Sequence, residues 1–262
     1  MRCLLMLSAL LGFGSFAVGA DEKYVTIQGT IKWNEDKAPV ADLINFKGHV
    51  DEKPCCKAAA AQLASSKIEV NAKNLGVKNV MIWLRPDTNV RTDTFPLAKI
   101  NPALAKPKSV EHVIDQPACQ FEPRITVARE GDTLVVKNSA GIGHNVNYSS
   151  DEESFNVNLP TKTEKKLDKP LKAQRSIIGV ACNVHPWMEG KVRVFDHPYF
   201  ALTDKDGKFE IKDAPVGKWR IVYQHEGGYH KGKEGLLGFP IELKGDKKTM
   251  EMDAVKLELP KP

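Results

Sequence analysis

Beyond its first twenty residues the sequence has no apolar run approaching the roughly 20 residues that a membrane-spanning helix needs, so its body does not read as a bundle of membrane helices. It has no repeat at a fixed period, which excludes solenoid and collagen-like architectures. Neither sign of charge dominates. The 38 Lys and Arg against 33 Asp and Glu leave a formal +5 over 262 residues, with Lys and Glu interspersed, which argues against a nucleic-acid binder. What is present is a globular composition, 42% hydrophobic and 27% charged, with Val, Ile and aromatic residues spread between the turns, and this excludes disorder. The length allows one large domain or two small ones.

The N-terminus differs from the rest. Met1-Arg2 is a short basic start, Cys3 to Val18 is apolar, Val18-Gly19-Ala20 offers small residues for cleavage, and Asp21-Glu22-Lys23 opens a polar chain. Residues 1–20 are therefore expected to be a cleaved signal peptide, which places the remainder in the periplasm or outside the cell.

The remainder reads as strands. From Tyr24 to Trp33 the pattern alternates, with Val25, Ile27, Gly29 and Ile31 on one face and Thr26, Gln28 and Thr30 on the other. Short strands are expected at Lys67–Asn71, Val77–Arg85, Arg124–Ala128, Thr133–Asn138, His144–Tyr148, Arg175–Cys182, Lys191–Asp196, Trp219–His225 and Thr249–Leu259. Leu202–Ile211 reads as a hairpin about Asp206-Gly207, and Pro215-Val216-Gly217 as a further turn. Asp204-x-Asp206-Gly207 lacks the remaining ligands of a calcium loop and is taken as turn chemistry only. One short helix is expected near 55–64, with Pro54 in its first turn, and the proline-rich residues 86–118 read as a long irregular crossing. The fold class is all-β, a sandwich.

One constellation carries chemistry. Cys182-Asn183-Val184-His185-Pro186-Trp187-Met188 holds a thiol, an imidazole and a thioether within seven residues, and His144 stands at the head of another strand. Singly, each is more simply read as core or loop filling. Together they make the mixture that copper prefers when it cycles between two oxidation states: Cys sulfur and His nitrogens in a plane, with a distant Met sulfur on the axis. Ile177, Ile178, Val180 and Ala181 would supply an apolar shell.

These residues resemble the cupredoxins, the small blue-copper proteins. Lys137–Val146 is similar to the first-histidine segment of plastocyanins, and Cys182-x2-His185-x2-Met188 to the short ligand loop of amicyanins. The resemblance covers about residues 115–197. It implies a Greek-key sandwich, one type 1 copper, His144, Cys182 and His185 as equatorial ligands and Met188 as axial ligand. It also implies that the backbone N–H of Asn145 donates to the Cys182 sulfur. Ala181 stands where many plastocyanins carry an aromatic residue beside the ligand Cys.

The flanks have a weaker resemblance. Gly29-Thr30-Ile31 and the run from Thr203 to Trp219 are similar to the carboxypeptidase-regulatory, transthyretin-like β-sandwich. The organisation read from this is a signal over 1–20, an N-terminal β segment over 21–113, a cupredoxin domain over 114–197 and a C-terminal transthyretin-like segment over 198–262. The two flanks would form one discontinuous sandwich, or else separate sequential β-domains. With Cys3 removed and Cys182 taken as a ligand, Cys55, Cys56 and Cys119 remain, and one of the first two is expected to bridge to Cys119. His49 beside Cys55 and Cys56 could form a second metal site, although a disulfide and a solvated histidine explain the same residues.

The resemblance implies an exported one-electron carrier that docks a redox protein, such as a c-type cytochrome or a dehydrogenase, over an apolar patch at the edge of His185 with Ile142, Pro186 and Trp187. Copper enzymes of this lineage need further centres, and the chain has no His-x-His pair and one Cys in its ligand loop, so no enzyme activity is expected. The alternatives are a copper carrier or store, and a non-redox cell-surface binding module.

Overall fold

A computed structural model describes residues 23–57, 64–65 and 67–260; the expected signal segment lies outside them. The chain begins with β1 (Tyr24–Trp33), passes α1 (Glu52–Cys56) and β2 (Met81–Pro86), and crosses by α2 (Pro102–Ala105) to β3 (Glu111–Ile114). Seven strands follow in close succession: β4 (Ile125–Arg129), β5 (Thr133–Asn138), β6 (His144–Ser149), β7 (Ser154–Leu159), β8 (Thr163–Lys166), β9 (Ile178–Ala181) and β10 (Glu189–Phe195). The last strands are β11 (Phe200–Leu202), β12 (Lys208–Pro215), β13 (Gly217–His225), β14 (Gly228–Tyr229), β15 (Phe239–Leu243), β16 (Thr249–Glu251) and β17 (Val255–Leu257). The protein is all-β, with short helices only.

Two hydrophobic cores organise these strands. The first lies between the sheet β12-β1-β16, on which β17 also pairs with β1, and the sheet β11-β2-β13-β14, on which β15 pairs with β13. Ile27, Ile31, Ile82, Leu84, Ile211, Ile221 and Leu243 fill it, so residues from both ends of the sequence share one interior. The second lies between β4-β10-β9-β6-β7 and β3-β5-β8, around Ile114, Leu134, Val136, Val146, Tyr148, Val180 and Val192.

Strand β2 explains how the two cores touch. Its residues alternate in direction, so Ile82 and Leu84 enter the first core while Met81 and Trp83 pack with Ile125, Phe195 and Val222 in a seam between the sandwiches. Both faces are covered, and the sequence there is a continuous apolar run rather than an alternation.

Several expectations need correction. Lys67–Asn71 forms no strand, and only a single bridge joins Val70 to Val77. The 202–211 segment turns as expected, with Gly207 at φ +75° and its N–H donating to Asp204 O at 3.0 Å. Its arms are not a hairpin: β11 pairs with β2 and β12 with β1, on opposite sheets of the first sandwich. The 175–182 strand begins only at Ile178. The expected helix starts at Glu52, keeps Pro54 in its first turn and is described to Cys56; its continuation over 58–63 falls outside the described residues. The proline-rich crossing holds α2, capped by the Asn101 side chain, which accepts from the Ala103 N–H at 3.0 Å, and β3, which pairs parallel with β5.

The loop between β1 and β2 divides between the two cores. Phe46 and Cys55 pack in the second, and Cys55 is bonded to Cys119.

Candidate metal centre

Each donor is delivered by a local device. Before β6, Asn138 ties the 139–143 loop: its Nδ2 donates to Ile142 O at 2.8 Å and Leu159 O at 2.9 Å, while its Oδ1 accepts from Ala140 at 3.0 Å. That fixes where His144 enters the sandwich. Between β9 and β10 the ligand loop is closed by two backbone bonds, Cys182 N–H to Met188 O at 3.2 Å and Met188 N–H to His185 O at 2.9 Å. A loop this tight must present Cys182, His185 and Met188 together.

The structure brings the expected donors into one buried place. His144 Nδ1 and His185 Nδ1 are 3.0 Å apart, and Cys182 Sγ is 3.5 Å from His185 Nδ1. The three donor atoms lie within 4.8 Å of one another, and all three residues are buried. Met188 is buried in the same core cluster as Cys182. The Asn145 backbone N–H reaches Cys182 Sγ at 3.3 Å, as the resemblance implies.

Asn145 does more than that reading expected. Its side-chain Oδ1 accepts from the Asn183 N–H at 3.1 Å and its Nδ2 donates to Asn156 Oδ1 at 2.7 Å, so one residue staples the ligand loop to β6 and β7. Burial first, and the neighbouring His185 second, lower the His144 pKa from 6.5 to about 4, so its imidazole is neutral with a lone pair to offer. His144 Nε2 is enclosed without a partner. A thiol and two imidazole lone pairs converging in a dry interior, with a thioether in the adjoining core, suit a soft metal ion.

Three further residues at the centre were not expected there. His185 is 0% exposed, and the His49 ring lies against it at 5.1 Å between centroids. Asp51 Oδ2 meets His185 Nε2 at 3.1 Å. The Asp51 N–H donates to His49 Nδ1 at 3.1 Å, which leaves His49 Nε2–H to donate to Val184 O at 2.9 Å. Phe46 and His49 both meet the Trp187 ring edge-on, at 4.9 Å between centroids, and Trp187 Nε1 donates to Cys119 O at 3.0 Å.

Two expectations fall on this geometry. The edge of His185 is not an exposed docking patch, although Pro186 is exposed and Trp187 and Ile142 are half-buried. The second site expected from His49, Cys55 and Cys56 loses Cys55 to the disulfide, and His49 instead stands with Asp51 and His185, their ligand atoms within 4.8 Å of one another. A signal for this cover existed in the disulfide expectation, which required the 55–56 region to lie against Cys119. The other histidines hold the fold. His112 Nε2 pairs with Asp132 at 2.9 Å, and His197, His225 and His230 each accept a backbone N–H through Nδ1.

No protein-family model matches the chain, and no curated protein matches it significantly. Among solved structures it is similar to a purple cupredoxin from Nitrosopumilus maritimus at 21% identity, covering 31% of this chain and 97% of that one, with a TM-score of 0.27. It is similar to an oxidised amicyanin variant at 20% identity over 33% of this chain and 82% of that one, with a TM-score of 0.28. A third likeness, to a copper-containing nitrite reductase from Thermus scotoductus, is 20% identical over 40% of this chain and 28% of that one, with a TM-score of 0.30. All three are partial, and the transthyretin-like reading of the flanks gains no support from them.

Proposed function

We propose that this chain is an exported type 1 copper protein that carries single electrons between redox proteins. The observation that carries the reading is the buried convergence of Cys182 Sγ, His144 Nδ1 and His185 Nδ1 at a loop closed by its own backbone. His144, Cys182, His185 and Met188 would hold the ion. Copper there would supply a reversible one-electron couple.

The chain's own residues fit that task. The two bonds across the ligand loop and the Asn145 staples hold the donors in one arrangement, so little must move when charge changes. The Asn145 N–H withdraws density from the Cys182 sulfur. Ile178 and Val180 are buried in the same core as Cys182. The Cys55–Cys119 disulfide suits an oxidising compartment, and residues 1–20 would provide export. The ligand loop carries no second Cys and the chain no His-x-His pair, so the further copper centres of copper enzymes have no evident ligands here and enzyme activity is not proposed. The partner would be a redox protein such as a c-type cytochrome or a dehydrogenase, and the first sandwich would serve as scaffold.

The test is the visible spectrum of the purified chain with added Cu(II), beside Cys182→Ser. An intense thiolate-to-copper band, absent in the variant and reversibly bleached by reductant, is expected. Colourless copper that a chelator strips quickly would replace the electron carrier with a copper carrier; no bound copper would leave a binding module.

A further inference from the structure

A metal-binding imidazole turns its second nitrogen away from the metal, and whatever meets that nitrogen sets the tautomer and the basicity of the ligand. Here it is met by a carboxylate brought from the other end of the sequence: Asp51 and His185 are 134 residues apart. We infer that Asp51 is a positioning residue for His185, accepting its Nε2–H so that Nδ1 is free for copper and placing a negative charge behind the ligand. This rests on the copper reading above.

The segment that carries Asp51 is built for this contact rather than for burial. Val40, Leu43 and Val50 are exposed large hydrophobics, whereas Phe46 and Cys55 are buried in the second core. The segment is held instead at three points: the Cys55–Cys119 bond, the edge contacts of Phe46 and His49 on Trp187, and the bond from His49 Nε2–H to Val184 O within the ligand loop. The Asp51 N–H on His49 Nδ1 then holds the backbone from which the carboxylate reaches His185. His49, which meets the Asp51 N–H, also lies against the His185 ring at 5.1 Å between centroids.

The consequence follows from charge. Cu(II) carries one more positive charge than Cu(I), so a carboxylate hydrogen-bonded to its ligand stabilises the oxidised ion more than the reduced one. Asp51→Asn keeps the shape and an acceptor oxygen but removes the charge. In the copper-loaded full chain it is expected to retain the blue band and to lower Cu(II) affinity about 10- to 100-fold, with Cu(I) affinity little changed. At 59 mV per tenfold for one electron, the midpoint potential rises by about 60 to 120 mV. His49→Ala, which releases the carboxylate without touching it, shifts the potential in the same direction. In the metal-free protein, nitrogen NMR of His185 is expected to find the proton on Nε2.

A blue wild type and a blue Asp51→Asn with the same potential would overturn this assignment alone, as would a proton found on Nδ1 of His185. Absence of the band in the wild type would overturn the copper reading and this assignment with it.

Discussion

His197 packs against Phe95, with ring centroids 4.6 Å apart, and its Nδ1 accepts the Tyr199 N–H at 3.1 Å. Burial, then the charges of Arg129 and Arg193, lower its pKa from 6.5 to about 3. A histidine depressed in the native state must stay neutral there, while the unfolded chain takes up the proton. Its contribution to stability is therefore complete above pH 6.5 and is lost as the pH falls from 6.5 toward 3. Between pH 7 and 5 the loss is about 2 kcal/mol, since one pKa unit corresponds to about 1.4 kcal/mol. His197→Asn supplies an oxygen where Nδ1 stood and removes the titration, so urea unfolding of the metal-free protein at the two pH values should show that much less pH dependence. At this scale the convergence of His144, Cys182 and His185 was legible in the sequence because two of them share one short loop and the third heads a strand. Asp51 and His49 were not, because nothing in Lys47-Gly48-His49-Val50-Asp51 indicates a partner so far along the chain.

Elements were legible where one face is buried. Strand β1 alternates, and Val25, Ile27 and Ile31 are buried as that pattern requires. Pairing was less so, because a turn fixes the direction of its arms but not the sheet each will join. After Gly207 the chain leaves β2's sheet for β1's, a choice made by the shape of the first core. The segment over His185 is the extreme case: among its described residues only α1 is regular, and a covalent bond does what a core would do elsewhere. The Cys55–Cys119 separation of 64 residues gives a chain-entropy contribution of about 4 kcal/mol. Replacing both cysteines by Ala should lower unfolding free energy by about 2–4 kcal/mol, measured by denaturant titration of the metal-free chain. A change below about 0.5 kcal/mol would mean that noncovalent contacts already hold the segment.

For the whole molecule the question is whether two cores behave as one. The chain passes back and forth between them, and Met81, Trp83, Ile125, Phe195 and Val222 fill the seam. That seam was hidden in the sequence, because strands covered on both faces lose the alternation that reveals a face. At one end of it Arg124, beside β4, grips Glu226 in the turn after β13 with two bonds, Nε to Oε1 at 2.8 Å and Nη2 to Oε2 at 2.9 Å. Their side chains are 6% and 10% exposed, so solvent screens the pair little. Arg124 also donates through Nη1 to Glu189 O at 2.9 Å, at the start of the strand that follows the ligand loop. Glu226→Ala strips a buried guanidinium of its two short carboxylate bonds and leaves it only Glu189 Oε2, at 3.5 Å, as a charge partner, which should cost about 2–3 kcal/mol, less than a fully orphaned buried charge. Adding Arg124→Met removes that charge and should recover most of the loss. If the seam makes the fold cooperative, wild-type unfolding followed by far-ultraviolet circular dichroism and by the amide NMR signals of the second core should coincide. The Glu226→Ala transitions should separate, because weakening the seam removes what couples the second core to the first. Coincident transitions in that variant, at an unchanged midpoint, would show that the apolar seam alone joins the two sandwiches.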